Sequence, residues 1–449
     1  MMGKEKALEI LEKVLGQCDA DQADCVLINF EQSLSRFANN FIHQNVNQSN
    51  TKLFVRVIRG KKVGVATTNR LDAAALRDAC RRAVRIADVS PEKSGFKSLP
   101  EPQPIPQITT YFDSTVNFDA FKRADVIRKF CEQAKRLDMT ASGSLAIYEG
   151  EVAVANTLGV RAYQPLTLAS VLLIMGYTQN ESGYASAISR NVDDIDFDAV
   201  LETAAKKCEL AKNPKPLKPG KYRVILEPEA VANLLEWLGY IGFGARSLLE
   251  KTSFLADRIG QKIFHDELTI YDDGKDTSGV AIPFDFEGVP KKKVMFVKNG
   301  VAKGVVYDSY YGGLMRRKST GHALTPDETY GPLPFNIFVA RGKSSLDEMI
   351  ETCELGVLVT RFHYINGFLD TRNAVLTGMT RDGTYLVKDG KIKHAVKNLR
   401  FTQNMLQAFS KLEMLGKEQK TVASWWEEIG ATRCPAMRLA EFNFTGATG

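Results

Sequence analysis

The first half of the chain shows helical and strand-like hydrophobic patterns in an order that occurs twice. Apolar residues three and four apart predict helices at 4–16, 71–89, 118–137 and 197–212. Alternating apolar and polar residues predict two groups of strands between them, at 23–31, 34–40, 42–48, 52–59 and 62–67, then at 142–148, 151–156, 161–177 and 182–190. The two halves share no clear residue identity, so this order only weakly suggests an internal duplication.

Two proline-rich stretches divide the chain. Residues 90–108 contain Pro91, Pro100, Pro102, Pro104 and Pro106, which predicts an extended connector. The stretch 213–220, Asn-Pro-Lys-Pro-Leu-Lys-Pro-Gly, is the strongest candidate for a domain boundary. We therefore expect an N-terminal domain of helices and antiparallel strands at 1–213, with the connector inside it, and a C-terminal, strand-rich domain at 220–449.

The second half reads mainly as strands and turns. Strands are predicted at 294–298, 304–307, 335–341, 356–360, 374–379 and 385–388, and helices at 228–241, 253–264, 345–351 and 401–409. Asn299-Gly300 and Asp389-Gly390 have the composition of two-residue hairpin turns. Because helices and strands are segregated, without a regular βαβ alternation, we expect an α+β fold with two domains.

The helix predicted at 228–241 begins with Pro228, a residue suited to a first helical turn. Its apolar residues fall on one stripe, which consists of Val231, Leu234, Leu235, Leu238 and Ile241. Glu236 falls roughly opposite that stripe. The stretch Glu236–Ile241 therefore offers one carboxylate beside a hydrophobic face.

Composition narrows the class of protein. The 449 residues are 44% hydrophobic and 25% charged, with a net charge of +6, which is ordinary for a globular protein. We expect no membrane span, and seven cysteines without a Cys-x-x-Cys motif predict reduced thiols and a cytoplasmic location. The basic runs 291–293 and 316–318 are short, and solvated turns explain them better than a nucleic-acid partner does.

The histidines are too far apart for a local zinc motif. No two of the five lie closer than 31 residues in sequence, so no histidine pair can share a helix face. His322 lies in the polar run Ser319-Thr320-Gly321-His322, which could line a cleft and bind a peptide, or could hold its own loop by a hydrogen bond. His363 lies between Phe362 and Tyr364, where packing is the simpler interpretation.

Several C-terminal stretches, in their order and spacing, carry a family resemblance. They are Glu287-Gly288-Val289-Pro290, 297–301, Tyr307-Asp308, Ser319–Ala323, Ala340-Arg341-Gly342, 346–350, Leu376–Gly383 and 387–392. Together they resemble the TldD/PmbA family, described as modulators of DNA gyrase, zinc-dependent peptidases or inactivated homologues of these. The resemblance extends over nearly the whole chain.

The resemblance implies a particular branch of that family. The metal-bearing branch carries His-Glu-x-x-x-His on the helix that corresponds to 228–241, and a later cysteine as a further zinc ligand. In register, those helix positions fall near Glu236, Trp237 and Ile241, of which Trp237 cannot act as a general base and Ile241 has no donor atom. Cys434 lies past the ligand position. The chain thus resembles the PmbA/TldE-like branch, for which we expect no catalytic residue and no metal ligand.

Three functions remain open. The leading hypothesis is a zinc-free, non-catalytic subunit of a cytoplasmic peptidase complex that acts on peptides or unfolded small proteins. Its partner would be a zinc-bearing TldD-like subunit or a second copy of the chain, and zinc is expected only in such a partner. The alternatives are an active metallopeptidase with ligands from distant segments, for example His322, His363 and Glu236, and a DNA gyrase-linked regulator.

Overall fold

The computed structural model describes residues 1–178, 180–425 and 430–447. The N-terminal half contains five helices, α1 Lys4–Leu15, α2 Ala73–Val89, α3 Asp113–Val116, α4 Ala120–Arg136 and α5 Phe197–Leu210. Its strands are β1 Gln22–Ala38, β2 Phe41–Arg59, β3 Lys62–Thr68, β4 Thr140–Asn156, β5 Arg161–Thr178 and β6 Glu181–Ser189. Residues 90–108, between α2 and α3, contain none of these helices or strands, as expected for an extended connector.

All six of these strands form one antiparallel sheet in the order β3-β2-β1-β4-β5-β6. Odd-numbered side chains such as Leu27, Val55 and Leu145 pack against α1, α2, α4 and α5, whereas in β3 the even-numbered Ala66 faces the helices. Several strands predicted as pairs are single strands, because the polar residues between them continue the alternation instead of turning. The predicted strand 23–31 and residues 34–38 of the next one, for example, both belong to β1, whereas Asn39 and Asn40 form the turn that follows it.

The order of the sheet is symmetric about the β1–β4 pair, with a helix packed closely at each outer strand. A Cβ on Gly64 of β3 would lie 2.0 Å from the Ala83 carbonyl oxygen of α2. A Cβ on Gly183 of β6 would lie 2.2 Å from the Ala204 carbonyl oxygen of α5. The same close approach of helix and strand in both halves supports the suggestion of a duplicated helix–meander–helix unit.

The C-terminal half is built on a second, eleven-stranded sheet. Its strands are β7 Gly220–Leu226, β8 Ile270–Asp272, β9 Val294–Lys298, β10 Val301–Ala302, β11 Asn336–Val339, β12 Leu355–Asp370, β13 Val375–Lys388, β14 Lys391–Ala395, β15 Leu399–Asn404, β16 Leu412–Ala423 and β17 Ala431–Ala447. The main path is β10-β9-β8-β11-β17-β15-β13-β12-β7, with β14 on β13 and β16 on β17. Its helices are α6 Pro228–Gly242, α7 Ala245–Leu249, α8 Ser309–Leu314, α9 Leu346–Glu351 and α10 Met405–Ser410.

The α+β prediction is confirmed, and both hairpin turns form as expected. Asn299 and Gly300 have φ of 51° and 74°, and Asp389 and Gly390 have 52° and 72°, the left-handed pair of a type I′ turn. The helix predicted at 253–264 is wrong: this stretch consists of turns, and Asp257, with φ of 62°, cannot continue a right-handed helix. The strand predicted at 304–307 is also absent, and only an isolated bridge joins Val306 to Gly244.

The two halves pack through the even-numbered face of the six-stranded sheet. Val26, Phe54 and Val152 on this face contact Ile282 and Phe284 of the C-terminal half. Farther along the same face the contact opens into a cleft, which is described below. Of the helices that the structure describes, none is both long and apolar enough to cross a membrane.

Candidate functional site

Helix α6 is buried on nearly every side. Leu234, Leu235 and Leu238 have no exposed surface, as the apolar stripe predicts. The residues outside that stripe are buried as well, except Pro228, Glu236 and Tyr240, which are half-buried. The helix lies against β12 and β17 and has the character of a core helix.

The three positions at the motif register have distinct environments. The Glu236 carboxylate accepts hydrogen bonds from the Trp425 backbone N–H, at 2.7 Å, and from the Ser424 hydroxyl. The Trp237 ring packs edge-on against Phe368, with ring centroids 5.4 Å apart. Ile241 is 4% exposed. Glu236 is therefore tied to the segment after β16 and is not the plain surface residue that the helix periodicity suggests.

A cavity of about 310 Å³, called the aromatic cavity below, lies beside these positions. It is lined by Asn233, Glu236, Trp237, Phe362, His363, Tyr364, Ile365 and Trp425. The Asn233 side-chain oxygen accepts a hydrogen bond of 3.1 Å from the Phe362 backbone N–H, which fixes the start of this wall. Burial, with Arg361 and Arg381 nearby, lowers the pKa of His363, so its imidazole is neutral at pH 7.

Buried ion pairs connect the first turn of α6 to the rest of the molecule. Glu229 pairs with Lys420 of β16, and Glu227 pairs with Lys207 of α5 at 2.5 Å. Burial alone would raise the pKa of Glu229, but Lys420 and Lys207 outweigh it and the net shift is downward. The start of α6 is thus held by charges from both halves of the chain.

A wider cleft, of about 580 Å³, opens at the other end of α6. One wall is the even-numbered face of the six-stranded sheet, including Phe30, Phe54 and Leu168, and the opposite wall includes Leu333 and Phe335. Tyr240 lines both this cleft and a small hollow of about 40 Å³, and Glu236 lines both the hollow and the aromatic cavity. The three spaces therefore follow one another along α6, and we call them together the α6 groove.

The run Ser319–His322 does not line the α6 groove, and its polar side chains form hydrogen bonds with one another and with neighbouring loops. His322 has no exposed surface; its Nε2 lies 2.9 Å from Asp272 Oδ1 and its Nδ1 lies 3.0 Å from the Thr320 hydroxyl. The hydroxyls of Ser319 and Thr320 both donate to the Tyr307 carbonyl, at 3.2 and 3.1 Å. This is the loop-holding arrangement, and a peptide-binding role for Ser319, Thr320, Gly321 and His322 stays a prediction without support from their placement.

The residues of α6 do not fit a zinc ion. Glu236 is the one carboxylate among the three register positions, and within the described ranges no group of three or more histidine, cysteine, aspartate or glutamate side chains could hold a metal. Glu236 and His363 do share the aromatic cavity. His322, however, is bound to Asp272 and does not line that cavity. The distant set His322, His363 and Glu236 is therefore not brought together. The Cys434 thiol is fully buried and donates to the Pro228 carbonyl at 3.2 Å.

Sequence reasoning missed most of the groove. Tyr240 lies one helical turn after Glu236, and this i, i+4 spacing was the one local signal that both face the same side. Tyr364 and Trp425 come from distant segments of the chain. Tyr364 lies within β12, and Trp425 lies two residues after the end of β16. Nothing in their local sequence indicates that they meet α6.

Comparison with known proteins agrees with this architecture. The family model for the PmbA/TldA metallopeptidase C-terminal domain matches residues 219–446, and those for domain 1 and the central domain match 26–87 and 110–211. All three matches are to domains of one metallopeptidase family. The chain belongs to the PmbA/TldD family.

The relatives have low sequence identity to this chain but align with most of its length. A metalloprotease TldD homologue of Buchnera aphidicola is 27% identical over 407 residues, which is 85% of this chain and 82% of the relative. The metalloprotease PmbA of Escherichia coli O157:H7 is 26% identical over 68% of this chain and 66% of its own length. The crystal structure of TldE from Thermococcus kodakarensis superposes with a TM-score of 0.87 at 21% identity, covering 98% of this chain and 99% of that one. A candidate modulator of a DNA gyrase from Thermotoga maritima superposes with a TM-score of 0.84 at 18% identity, covering 98% and 100%.

Proposed function

We propose that this chain is a zinc-free, non-catalytic subunit of a peptidase complex, in which it binds peptides along the α6 groove beside a zinc-bearing TldD-like partner. The observation that carries the proposal is the identity of the residues at the positions corresponding to the zinc motif. There Glu236, Trp237 and Ile241 supply one oxygen donor group and two side chains that cannot bind zinc. A zinc peptidase needs an open metal position to polarise the carbonyl and activate water. Without that chemistry, recognition is the function left to this fold.

The shape of the groove suits an extended peptide. Tyr240 and Glu236 are one helical turn apart, a rise of about 6 Å along the axis. Alternate side chains of an extended chain lie about 6.6 Å apart on one side. Successive side chains on that side would enter the wide cleft, the small hollow and the aromatic cavity in turn.

The test begins with elemental analysis of the purified chain after dialysis against metal-free buffer. We expect far less than one zinc per chain and no cleavage of unfolded peptides by the chain alone. Stoichiometric zinc that survives dialysis, or chelator-sensitive cleavage by the chain alone, would show that it is an active metallopeptidase.

The role as a subunit is tested by mixing the chain with a TldD-like protein from the same genome. We expect a stable complex in gel filtration and cleavage that requires both proteins. The matched control replaces the motif glutamate of the partner, which should abolish cleavage and leave the complex intact. If the chain instead elutes as a dimer of itself and ignores the partner, the heteromeric part of the proposal is refuted.

A further inference from the structure

Two thiols meet where the end of α1 contacts α2. The Cys18 thiol, just after the turn that ends α1, donates to the Val14 carbonyl at 3.4 Å. The Cys80 thiol of α2 donates to the same carbonyl oxygen at 3.6 Å. The two sulfurs are therefore neighbours, although the whole of β1, β2 and β3 lies between these cysteines in the chain.

The two thiols also act on each other. When Cys80 ionises, the Cys18 thiol donates a hydrogen bond to its sulfur, and this bond is the main reason that the pKa of Cys80 is lowered. The same bond, together with burial, raises the pKa of Cys18. Cys80 therefore loses its proton first, and a shift of the remaining proton along the hydrogen bond makes Cys18 the thiolate. A thiolate in contact with a second thiol is the arrangement that disulfide formation requires.

Access from solvent differs between the cysteines of this region. Cys18 is only half-buried, whereas Cys80 is 2% exposed, so a reagent in solution meets Cys18 first. Cys25 of β1 packs in the same cluster and has no exposed surface. Burial and the neighbouring Asp24 raise the pKa of Cys25 well above its ordinary value, so it stays a protonated core residue.

We propose that Cys18 and Cys80 form a reversible disulfide that fastens the end of α1 to α2, with a small disulfide such as glutathione disulfide as the oxidant. The Cys18 sulfur attacks one glutathione sulfur, which forms a mixed disulfide and releases one glutathione. The Cys80 sulfur then attacks the Cys18 sulfur and releases the second glutathione. The two protons of the pair pass to the released thiolates, so two cysteines are oxidised and one glutathione disulfide is reduced.

The disulfide closes a covalent loop around the first half of the six-stranded sheet. The strands β1, β2 and β3 lie between the two cysteines, and α1 and α2 pack on the same face of these strands. A crosslink that closes a long loop restricts the unfolded chain strongly, so oxidation should stabilise this half of the sheet. The proposal is independent of peptide binding, because neither cysteine lines the α6 groove.

The full chain is reduced, desalted, incubated with glutathione disulfide and alkylated for mass spectrometry. We expect the free thiols to fall from seven to five, with no glutathione retained, and dithiothreitol to restore all seven. Digestion with trypsin and a protease that cleaves before aspartate separates Cys18 from Cys25, because Asp19, Asp21 and Asp24 lie between them. The Cys18 peptide should then be joined to the Cys80 peptide. Seven thiols that stay free, a lasting glutathione adduct on Cys18, or a bond from Cys80 to Cys25 would overturn the proposal.

Cys18→Ala and Cys80→Ala should each prevent the crosslink, whereas Cys25→Ala, the matched control, should retain it. The oxidised native chain should unfold several degrees above the reduced chain, and this difference should vanish in Cys18→Ala. If Cys80→Ala does not fold, Cys18→Ala, at a half-buried position, and the peptide map of the native chain still decide. A crosslink that survives Cys18→Ala would overturn the assignment, and an oxidised chain no more stable than the reduced one would overturn the fastening of α1 to α2.

Discussion

The pair Glu229–Lys420 should be one of the strongest single attachments of α6, and a double-mutant cycle can measure it. The Glu229 side chain is 3% exposed and that of Lys420 is 33% exposed. Lys420→Met leaves a buried carboxylate whose remaining cation nearby is Lys207. Removing one partner of a buried pair costs about 3–5 kcal/mol, and we expect about 2–4 kcal/mol because Lys207 retains part of the compensation.

The reverse change should be milder. Glu229→Gln leaves Lys420, which can turn toward water, and should cost about 1–2 kcal/mol. The double variant should lose much less than the sum of the two, because it leaves no uncompensated charge. The exposed pair Lys262–Asp266, with side chains 59% and 69% exposed, is the matched control, with an expected coupling of about 0.5 kcal/mol or less.

The assay is urea unfolding followed by circular dichroism, with the midpoint compared at constant m-value. The lowered pKa of Glu229 fixes the sign of the pH dependence: the stabilisation is present above the usual carboxyl pKa of 4.5 and is lost as pH falls through the lower folded value. The gap between the native chain and Lys420→Met should therefore narrow on acidification. A loss below about 0.5 kcal/mol at pH 7, or single losses that simply add, would refute this account of how α6 is held.

Three further changes test other parts of the site. Leu235→Ala, at a position with no exposed surface, should lower the free energy of unfolding by about 2–5 kcal/mol in the same urea assay, and a loss under 1 kcal/mol would contradict a packed α6. Glu236→Ala should cost about 1–2 kcal/mol, because the Trp425 N–H and the Ser424 hydroxyl lose their acceptor, while Glu236→Gln, which keeps an oxygen, should cost clearly less. Burial and Glu287 raise the pKa of Asp308 to about 7 from 3.8. Between those values Asp308 is protonated in the folded protein and ionised in the unfolded chain, and the stability that this difference gives is lost as pH rises through 7. Asp308→Asn keeps the oxygen that caps Tyr311 and should therefore stabilise the chain more at pH 8 than at pH 5, whereas the exposed Asp347→Asn should show no such difference in thermal unfolding.

Local pattern predicted much of the fold. The helix over 228–241 ends within a residue of α6, and the strand over 294–298 coincides with β9, because each is set by periodicity within a few residues. Where the sequence lacked a strong local signal, tertiary contacts decided. The stretch 253–264 has helical spacing but is folded into turns, and the residues between the predicted strand pairs continue as long strands.

The candidate site was harder to predict because its parts are far apart in the chain. The register positions Glu236, Trp237 and Ile241 came from resemblance, but their surroundings did not. Lys420 reaches Glu229 across 191 residues, and Trp425 reaches Glu236 across 189. No periodicity within α6 distinguishes an exposed face from one that a distant strand covers, which is why Glu236 looked like a surface residue.

The pairing of β1 with β4 also limits how this protein can be divided. Fourteen positions are paired between them, from Asp24 opposite Asn156 to Phe37 opposite Gly143, and the proline-rich connector separates the two strands in sequence. A fragment ending in that connector would present β1 as a long unpaired edge, and the remaining fragment would present β4. Each half would then be prone to aggregate when made alone, but the two made together could rejoin at this seam, which makes the connector a natural place for a split-protein reporter.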